Sequence, residues 1–290
     1  MVRGSRTIRF RDVGRVEEQR ERWNEAAERW RRNGAVVREL TAPVSRAMID
    51  RAKPLAGERW LDVASGVGDP GALLHEKVAP EGTVVLSDLA HGMARTASEA
   101  LGGSAPAVTA AAEALPFRSA FDGVTCRFGA MFFTDPPRAM EEIRSSLKPS
   151  GRAVFVVWGE RERNPFFGEI LDAVREAVPD APVPGPDDPH PFRYAPAGKL
   201  ASFLQSGGWT DVEDEPLRFE VVGPISQGEF WDFMRSMNAE IEKLVGELPE
   251  DGRAALRSDV ERRVAPYFPE GTCRFPAEAR LVYARRPASG

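Results

Sequence analysis

At 290 residues, with 42% apolar and 29% charged side chains, the chain is long enough for one large α/β domain with a smaller appended segment, and this composition argues against disorder. The net charge of −5 hides an asymmetry, since residues 1–60 carry 15 lysines and arginines against 9 acids, and the rest 24 against 35. An arm that binds nucleic acid and a solvated, arginine-rich amphipathic helix both fit that excess; the helix is preferred, because a polyanion binder spreads its basic footprint over the whole binding domain. The longest strongly apolar run, Ala153 to Trp158, is far shorter than the ~20 residues of a membrane helix. The basic start, MVRGSRTIRFRDVGR, has no apolar run behind it, so a signal peptide is not expected and the chain is placed in the cytoplasm. Cys126 and Cys273 show no metal or disulfide spacing, and Cys126 is read as filler of a buried strand.

In chain order, Val16, Trp23 and Trp30 recur every seventh residue, with Ala26 and Ala27 between them, and predict a helix over 16–31; a second helix is expected over about 35–52. Pro54 and Gly57 then punctuate the chain, and Trp60 to Ala64 has the brevity and apolar run of a buried parallel strand. After a glycine loop, Asp69 is a good N-cap and Pro70 a good first residue for a helix to about Val78. Thr83 to Leu86 predicts a strand, His91 to Leu101 a helix, and Phe121 to Phe128 another strand. Met140, Ile143 and Leu147 mark one face of a helix opening at Asp135-Pro136-Pro137, and the strand Arg152 to Trp158 follows. Residues 160–196 hold eight prolines around one short helix, a candidate lid. Leu200, Phe203 and Leu204 predict a helix closed by Gly207-Gly208, a strand runs from about Asp211 to Val221, two helical patterns fill 226–268, and Ala279 to Arg285 is a last strand that can run antiparallel. The alternation predicts a Rossmann-like, doubly wound, mostly parallel seven-stranded α/β sheet with N-terminal helices and an inserted helical lid. Three parts are expected: an N-terminal arm and cap (1–55), a nucleotide-binding core (56–160), and lid insertions with the last core strands (161–290).

The stretch LDVASGVGDPG, Leu61 to Gly71, is the most informative. Gly66 and Gly68 lie between a buried strand and a helix, where missing side chains let a ligand approach the backbone and the helix N-terminus. The same run also reads as the G-x-G-x-x-G of dinucleotide enzymes. Asp62 is an acid inside an apolar strand, costly to bury without a partner, and an ammonium group on the cofactor, direct or through water, would serve. Asp88 ends the next strand, where its two oxygens suit two ribose hydroxyls in either cofactor class; a helix N-cap is the plainer reading.

Five blocks in order, LDVASGVGD, VVLSDLAHGM, AEALPFRSAFDGV, CRFGAMFFTDP and LKPSGRAVFVVW, make the run from Trp60 to Trp158 resemble the class I S-adenosylmethionine-dependent methyltransferases related to the ubiquinone/menaquinone biosynthesis C-methyltransferases (methyltransferase type 11). The resemblance implies that S-adenosyl-L-methionine is the cofactor and S-adenosyl-L-homocysteine its product. It implies that Ala64, Ser65, Gly66 and Gly68 line the methionine end, Asp88 holds the ribose, Leu89 and Met93 flank the adenine, Ala112 and Glu113 lie at its edge, and Arg127 and Phe128 close the pocket. Two departures stand out: Ala64 replaces a frequent glycine, and Ala111 an aspartate that accepts from the adenine amine.

Methyl transfer is an in-line displacement that needs alignment and exclusion of water more than a base. Of three histidines, His75 and His91 read as structural. His190, in the lid beside Phe192 and Tyr194, is the candidate general base. Trp23 and Trp30, which could equally pack on the core, are assigned with Met131, Trp158, Phe192 and Tyr194 to a pocket for a small, apolar or aromatic substrate methylated at O, N or C. No metal, nucleic acid or membrane partner is expected, and the chain is expected to be a monomer or homodimer. The alternatives are an adenosylmethionine-binding protein that no longer methylates, and an NAD-dependent oxidoreductase, which lacks a hydride-transfer constellation.

Overall fold

The computed structural model of the chain describes residues 10–288. The basic residues before Phe10 therefore lie outside the described residues. From Phe10 to Ala52 the chain is one helix, α1, although Asn33-Gly34 separates the two helices expected from the pattern and Pro43 sits inside it. A lone glycine costs a helix only ~1 kcal/mol, and Val37, Leu40, Val44, Met48 and Ala52 continue a stripe that is buried on the sheet, which offsets it.

The strands are β1 (Arg59–Val63), β2 (Thr83–Asp88), β3 (Ala107–Thr109), β4 (Phe121–Arg127), β5 (Leu147–Trp158), β6 (Thr210–Gly223) and β7 (Cys273–Arg285). They form one seven-stranded sheet in the order β3-β2-β1-β4-β5-β7-β6. The first five pair in parallel, and β7 enters antiparallel between β5 and β6. The fold class is as expected. The three-residue edge strand β3, too short to carry a pattern, is the strand missing from the sequence reading.

Helices α2 (Gly71–Val78), α3 (His91–Ala100), α4 (Pro136–Ser146) and α6 (Lys199–Ser206) are the crossovers of that sheet. The remaining helices, α5 (Pro165–Ala177), α7 (Gln227–Met237), α8 (Ala239–Gly246) and α9 (Glu250–Val264), form the cap over the sheet's C-terminal edge. The cap is held on by an aromatic cluster in which Phe166, Phe230 and Phe275 have ring centroids 5.2 to 5.4 Å apart. The two helical patterns expected over 226–268 are three helices; Asn238 ends α7 and caps α8 by accepting from the amides of Glu240 and Ile241. Among the described residues, no helix is long and apolar enough to cross a membrane.

Candidate active site

The C-terminal ends of β1, β2 and β4 open into a cavity of about 500 Å3, roofed by α1 on one side and by α5, α7 and α8 on the other. Its floor is the loop from Ala64 to Pro70. Ala64 (φ +55°), Gly66 (φ +52°) and Gly68 (φ +86°) are left-handed there, the conformation glycine adopts at least cost. Alanine at 64 is accommodated by its neighbour across the strands: a Cβ on Gly129 would lie 2.4 Å from the Ala64 Cβ. A Cβ on Gly66 would meet only the Ala64 carbonyl oxygen, at 3.9 Å. Gly68 does not face the cavity, contrary to expectation; a Cβ there would meet Ala97 O and Ala100 Cβ at 3.0 Å, so this glycine lets the loop pack on α3.

Asp88 lines the cavity with its carboxylate held by backbone amides, Gly66 N to Oδ2 and Ala90 N to Oδ1, each at 3.0 Å. Burial pushes its pKa up to about 6, against the pull of those amides. A carboxylate oxygen accepts more than one hydrogen bond, so each retains a lone pair for a hydroxyl. Leu89, Met93, Ala112 and Glu113 continue the same wall. Glu113 is oriented by the Thr134 amide at 2.8 Å, the Thr134 hydroxyl at 3.0 Å and the Asp135 amide. Asp135 caps α4 by accepting from the Arg138 amide.

Asp62, expected at the cofactor's ammonium, is sealed beneath the loop and does not line the cavity. Its Oδ1 accepts from Thr125 Oγ1 at 2.7 Å, while Oδ2 makes no well-formed hydrogen bond. Burial drives its pKa up to about 7, opposed by the Thr125 hydroxyl and the Arg127 charge. Asp69 is likewise misread by sequence. Pro70 takes the N-cap position of α2, with no side-chain cap, and Asp69 pairs with Arg127 at 2.6 Å. Ser45 and Thr41 of α1 complete that network, with Ser45 Oγ donating to Asp69 Oδ2 at 2.7 Å. No local pattern signals it, because the members come from α1, the loop and β4.

Trp23, Trp30, Met131, Trp158 and Phe192 all line the cavity. Trp23 meets Trp30 edge-on at 6.0 Å and Phe132 at 5.4 Å, and Phe128 (φ +56°) stacks on Trp158 at 4.1 Å with the rings 8° apart. Tyr194 turns away from the cavity to pack against Phe203 of α6 and the Lys199 ammonium. His190 lines the cavity, but its Nδ1 accepts the Phe192 amide at 3.2 Å. In the neutral ring that puts the proton on Nε2, so His190 is a hydrogen-bond donor and lacks the free lone pair of a general base. Burial, and the charges of Arg193 and Lys199, lower its pKa and keep it neutral. His75 does not reach the cavity, and the exposed His91 contacts Thr109 Oγ1 at 3.3 Å. Cys126 is sealed in the core, its thiol pushed up to about 12 by burial. Among the described residues, no group of three or more His, Cys, Asp or Glu is arranged to hold a metal ion.

The arrangement fits the cofactor that the sequence implies. An acid with two oriented oxygens lines the cavity beside the Gly66 backbone, and the stacked Phe128 and Trp158 line the same cavity. Residues 61–155 match the family described as methyltransferase domain. The chain is 35% identical over 133 residues to the ubiquinone/menaquinone biosynthesis C-methyltransferase of Hahella chejuensis, covering 44% of this chain and 53% of the relative. It is 38% identical over 121 residues to that of Xanthomonas oryzae pv. oryzae, covering 40% and 48%. The chain thus spans about half the length of these curated relatives. Its fold is that of the YcgJ protein from Bacillus subtilis (TM-score 0.54, 19% identity, 85% of this chain and 98% of the other) and of a protein from Bacillus halodurans (TM-score 0.53, 20% identity, 84% and 99%). S-adenosylmethionine is the cofactor this match supports. Residues 61–155 are thus similar to the methyltransferase domain family that the sequence motifs resembled.

Proposed function

We propose that this chain is an S-adenosylmethionine-dependent methyltransferase acting on a small, apolar or aromatic molecule, with carbon the favoured acceptor among O, N and C. The observation that carries the reading is one cavity that joins two kinds of lining. The strand ends contribute Asp88, Glu113 and the Gly66 backbone, and the cap helices contribute Phe167, Ile170, Met234 and Ile241, with the Phe128–Trp158 stack in the same wall. Carbon is favoured because the similar curated proteins are named C-methyltransferases.

When bound, the cofactor supplies an activated methyl on a sulfonium. The residues of this chain position and shield. Asp88 accepts from the ribose hydroxyls. Trp23, packed edge-on against Trp30 and Phe132 where all three line the cavity, helps to exclude water. His190 offers an N–H to a substrate oxygen, such as a phenolate or carbonyl, and so orients the acceptor without taking a proton.

The reading is tested with methyl-labelled adenosylmethionine and a panel of hydroquinones, phenols and aromatic amines, following the label by mass spectrometry. Adenosylhomocysteine should accumulate with label on a ring carbon of an apolar product. Tight calorimetric binding of adenosylmethionine with no label transferred to any acceptor, including those in a small-molecule cell extract, would instead favour the binding protein without methylation.

A further inference from the structure

The charged side chains that line the cavity are held by partners, with one exception among the described residues. At the strand ends, Asp69 pairs with Arg127, and backbone amides hold the Asp88 and Glu113 carboxylates. In the cap half, Arg22 of α1 faces Glu240 of α8 at 3.8 Å, and Arg161 donates to Asp172 and to the Gly168 carbonyl. The exception is Arg175, in the last turn of α5, which lines the same cavity and has no hydrogen bond or ion pair among the described residues. It is exposed, as a group at the rim must be for a ligand to reach it. The helix dipole favours a basic residue in that turn whichever way it faces, so the dipole alone does not account for its place on the cavity wall.

Phe167, Ile170, Leu171 and Val174, at i, i+3, i+4 and i+7, turn one face of α5 into the cavity, and Arg175 ends that face. Phe167 meets Trp158 edge-on at 4.9 Å, and Trp158 stacks on Phe128, just past the end of β4. The apolar stripe therefore starts at the aromatic pair beside the strand ends. It finishes at Arg175, ~12 Å farther on for a helix that rises ~1.5 Å per residue. Beyond α5, Ala181, Pro182 and Pro184 line the cavity without polar side chains; the prolines have no amide hydrogen, and the Ala181 amide is bonded to the Val178 carbonyl. Arg175 is thus the donor at that end for an anionic group. One unpaired guanidinium balances one negative charge and offers two parallel N–H groups, which suits a carboxylate; a phosphate monoester brings ~1.5–2 charges and would be left in excess.

We propose that Arg175 selects an apolar substrate that carries a carboxylate, with the acid group seated at the C-terminal end of α5 and the rest of the molecule lying along Phe167, Ile170, Leu171 and Val174. This rests on the proposed function and deepens it, since it names the charged group that the substrate carries. The acid is a handle, set apart from the strand ends where the cofactor binds, and is not itself the methyl acceptor. A molecule that reaches from one end of the stripe to the other is longer than a single benzoate.

The test uses the full chain loaded with S-adenosylhomocysteine and two probes of one shape, biphenyl-4-carboxylate and the neutral biphenyl-4-carboxamide, titrated calorimetrically. The parent should bind the carboxylate ~10-fold or more tightly than the amide, the effect of a charge-assisted hydrogen bond. Arg175→Gln should bring the carboxylate down to the affinity of the amide and leave the amide within about twofold. Arg175→Lys, which keeps the charge and loses the fork, should keep part of the preference. Added salt should shrink the preference of the parent and leave Arg175→Gln unmoved, because the pair forms at an exposed rim. Unchanged amide binding also shows that the variant is folded. A carboxylate preference that survives Arg175→Gln would overturn the inference and leave Arg175 as a helix-terminal cation only. Equal binding of the two probes by the parent would overturn it as well, and so would binding of neither by a chain that takes up adenosylhomocysteine. These results leave the proposed function standing. A parent that does not bind adenosylhomocysteine would remove the proposed function and this inference with it.

Discussion

Asp62 and Asp88 end or interrupt neighbouring strands, and burial raises both carboxyl groups, yet they play different parts because one faces the cavity and the other lies under its floor. The acid in an apolar strand was a correct sign that a partner is needed. Which partner was not legible, since Thr125 arrives from a strand 63 residues away. The places of Asp88, Gly66, Leu89 and Met93 on the cavity wall were legible because they are set by position along one strand-loop-helix unit. The raised pKa of Asp62 has a consequence for stability. An aspartate unfolds to an ordinary pKa of ~3.9; with a folded value near 7, the folded state holds the proton more tightly. The contribution is therefore fully present below about pH 4 and lost as pH rises through about 7. A shift of that size corresponds to at most ~4 kcal/mol. Denaturant unfolding of the parent should show stability falling from pH 5 to pH 8, and Asp62→Asn should flatten that fall, leaving the smaller slope of the same sign from Asp88. Parallel curves for parent and variant would show that Asp62 keeps an ordinary pKa.

Helix α1 decides how much of the site is visible from sequence. Its amphipathic pattern was legible, and several of its arginines are paired, Arg31 and Arg32 with Glu28 within the helix, Arg22 with Glu240 of α8 and Arg51 with Glu213 of β6. The long-range packing was not legible. Nothing in the sequence of α1 says that its hydroxyls at 41 and 45 will meet Arg127, or that Arg29 Nε will donate to Ser236 O of α7 at 2.9 Å. The contact of α1 with α3 depends on Gly92, where a Cβ would come within 2.6 Å of the Ala27 Cβ. Gly92→Val should therefore push the two helices apart, at a cost of ~1–3 kcal/mol for overpacking. Hydrogen exchange should quicken over residues 16–33 while β1, β4 and β5 remain protected. Unaltered exchange over that half of α1 would mean that its position does not depend on this contact.

For the whole molecule, the decisive contrast is between two adenosine cofactors that share the ribose-binding acid. A dinucleotide places its pyrophosphate at the helix that follows the glycine loop, where amide groups and the helix dipole attract anions. At the start of α2 this chain sets the buried Asp69 carboxylate, and a Cβ on Gly71 would already lie 2.5 Å from Leu86 Cδ2, so that glycine serves helix-to-strand packing. Arg127 is already paired with that carboxylate at 2.6 Å, so the two further negative charges of a pyrophosphate are disfavoured there, whereas a zwitterionic amino acid with a neighbouring sulfonium is not. Ligand binding to the folded state alone adds RT ln(1 + [L]/Kd), ~2.7 kcal/mol at a hundredfold excess over Kd. For a chain of 290 residues, an unfolding entropy of ~2.1 cal/mol/K per residue gives ~0.6 kcal/mol per degree. Adenosylhomocysteine at that excess should raise Tm by about 4 °C, and NAD at the same concentration should leave it in place. The two ligands carry the same adenosine, so a difference between them reports on the group attached beyond the ribose. A rise with NAD equal to that with adenosylhomocysteine would show that the loop before α2 accepts a pyrophosphate, and would overturn the assignment of the cofactor.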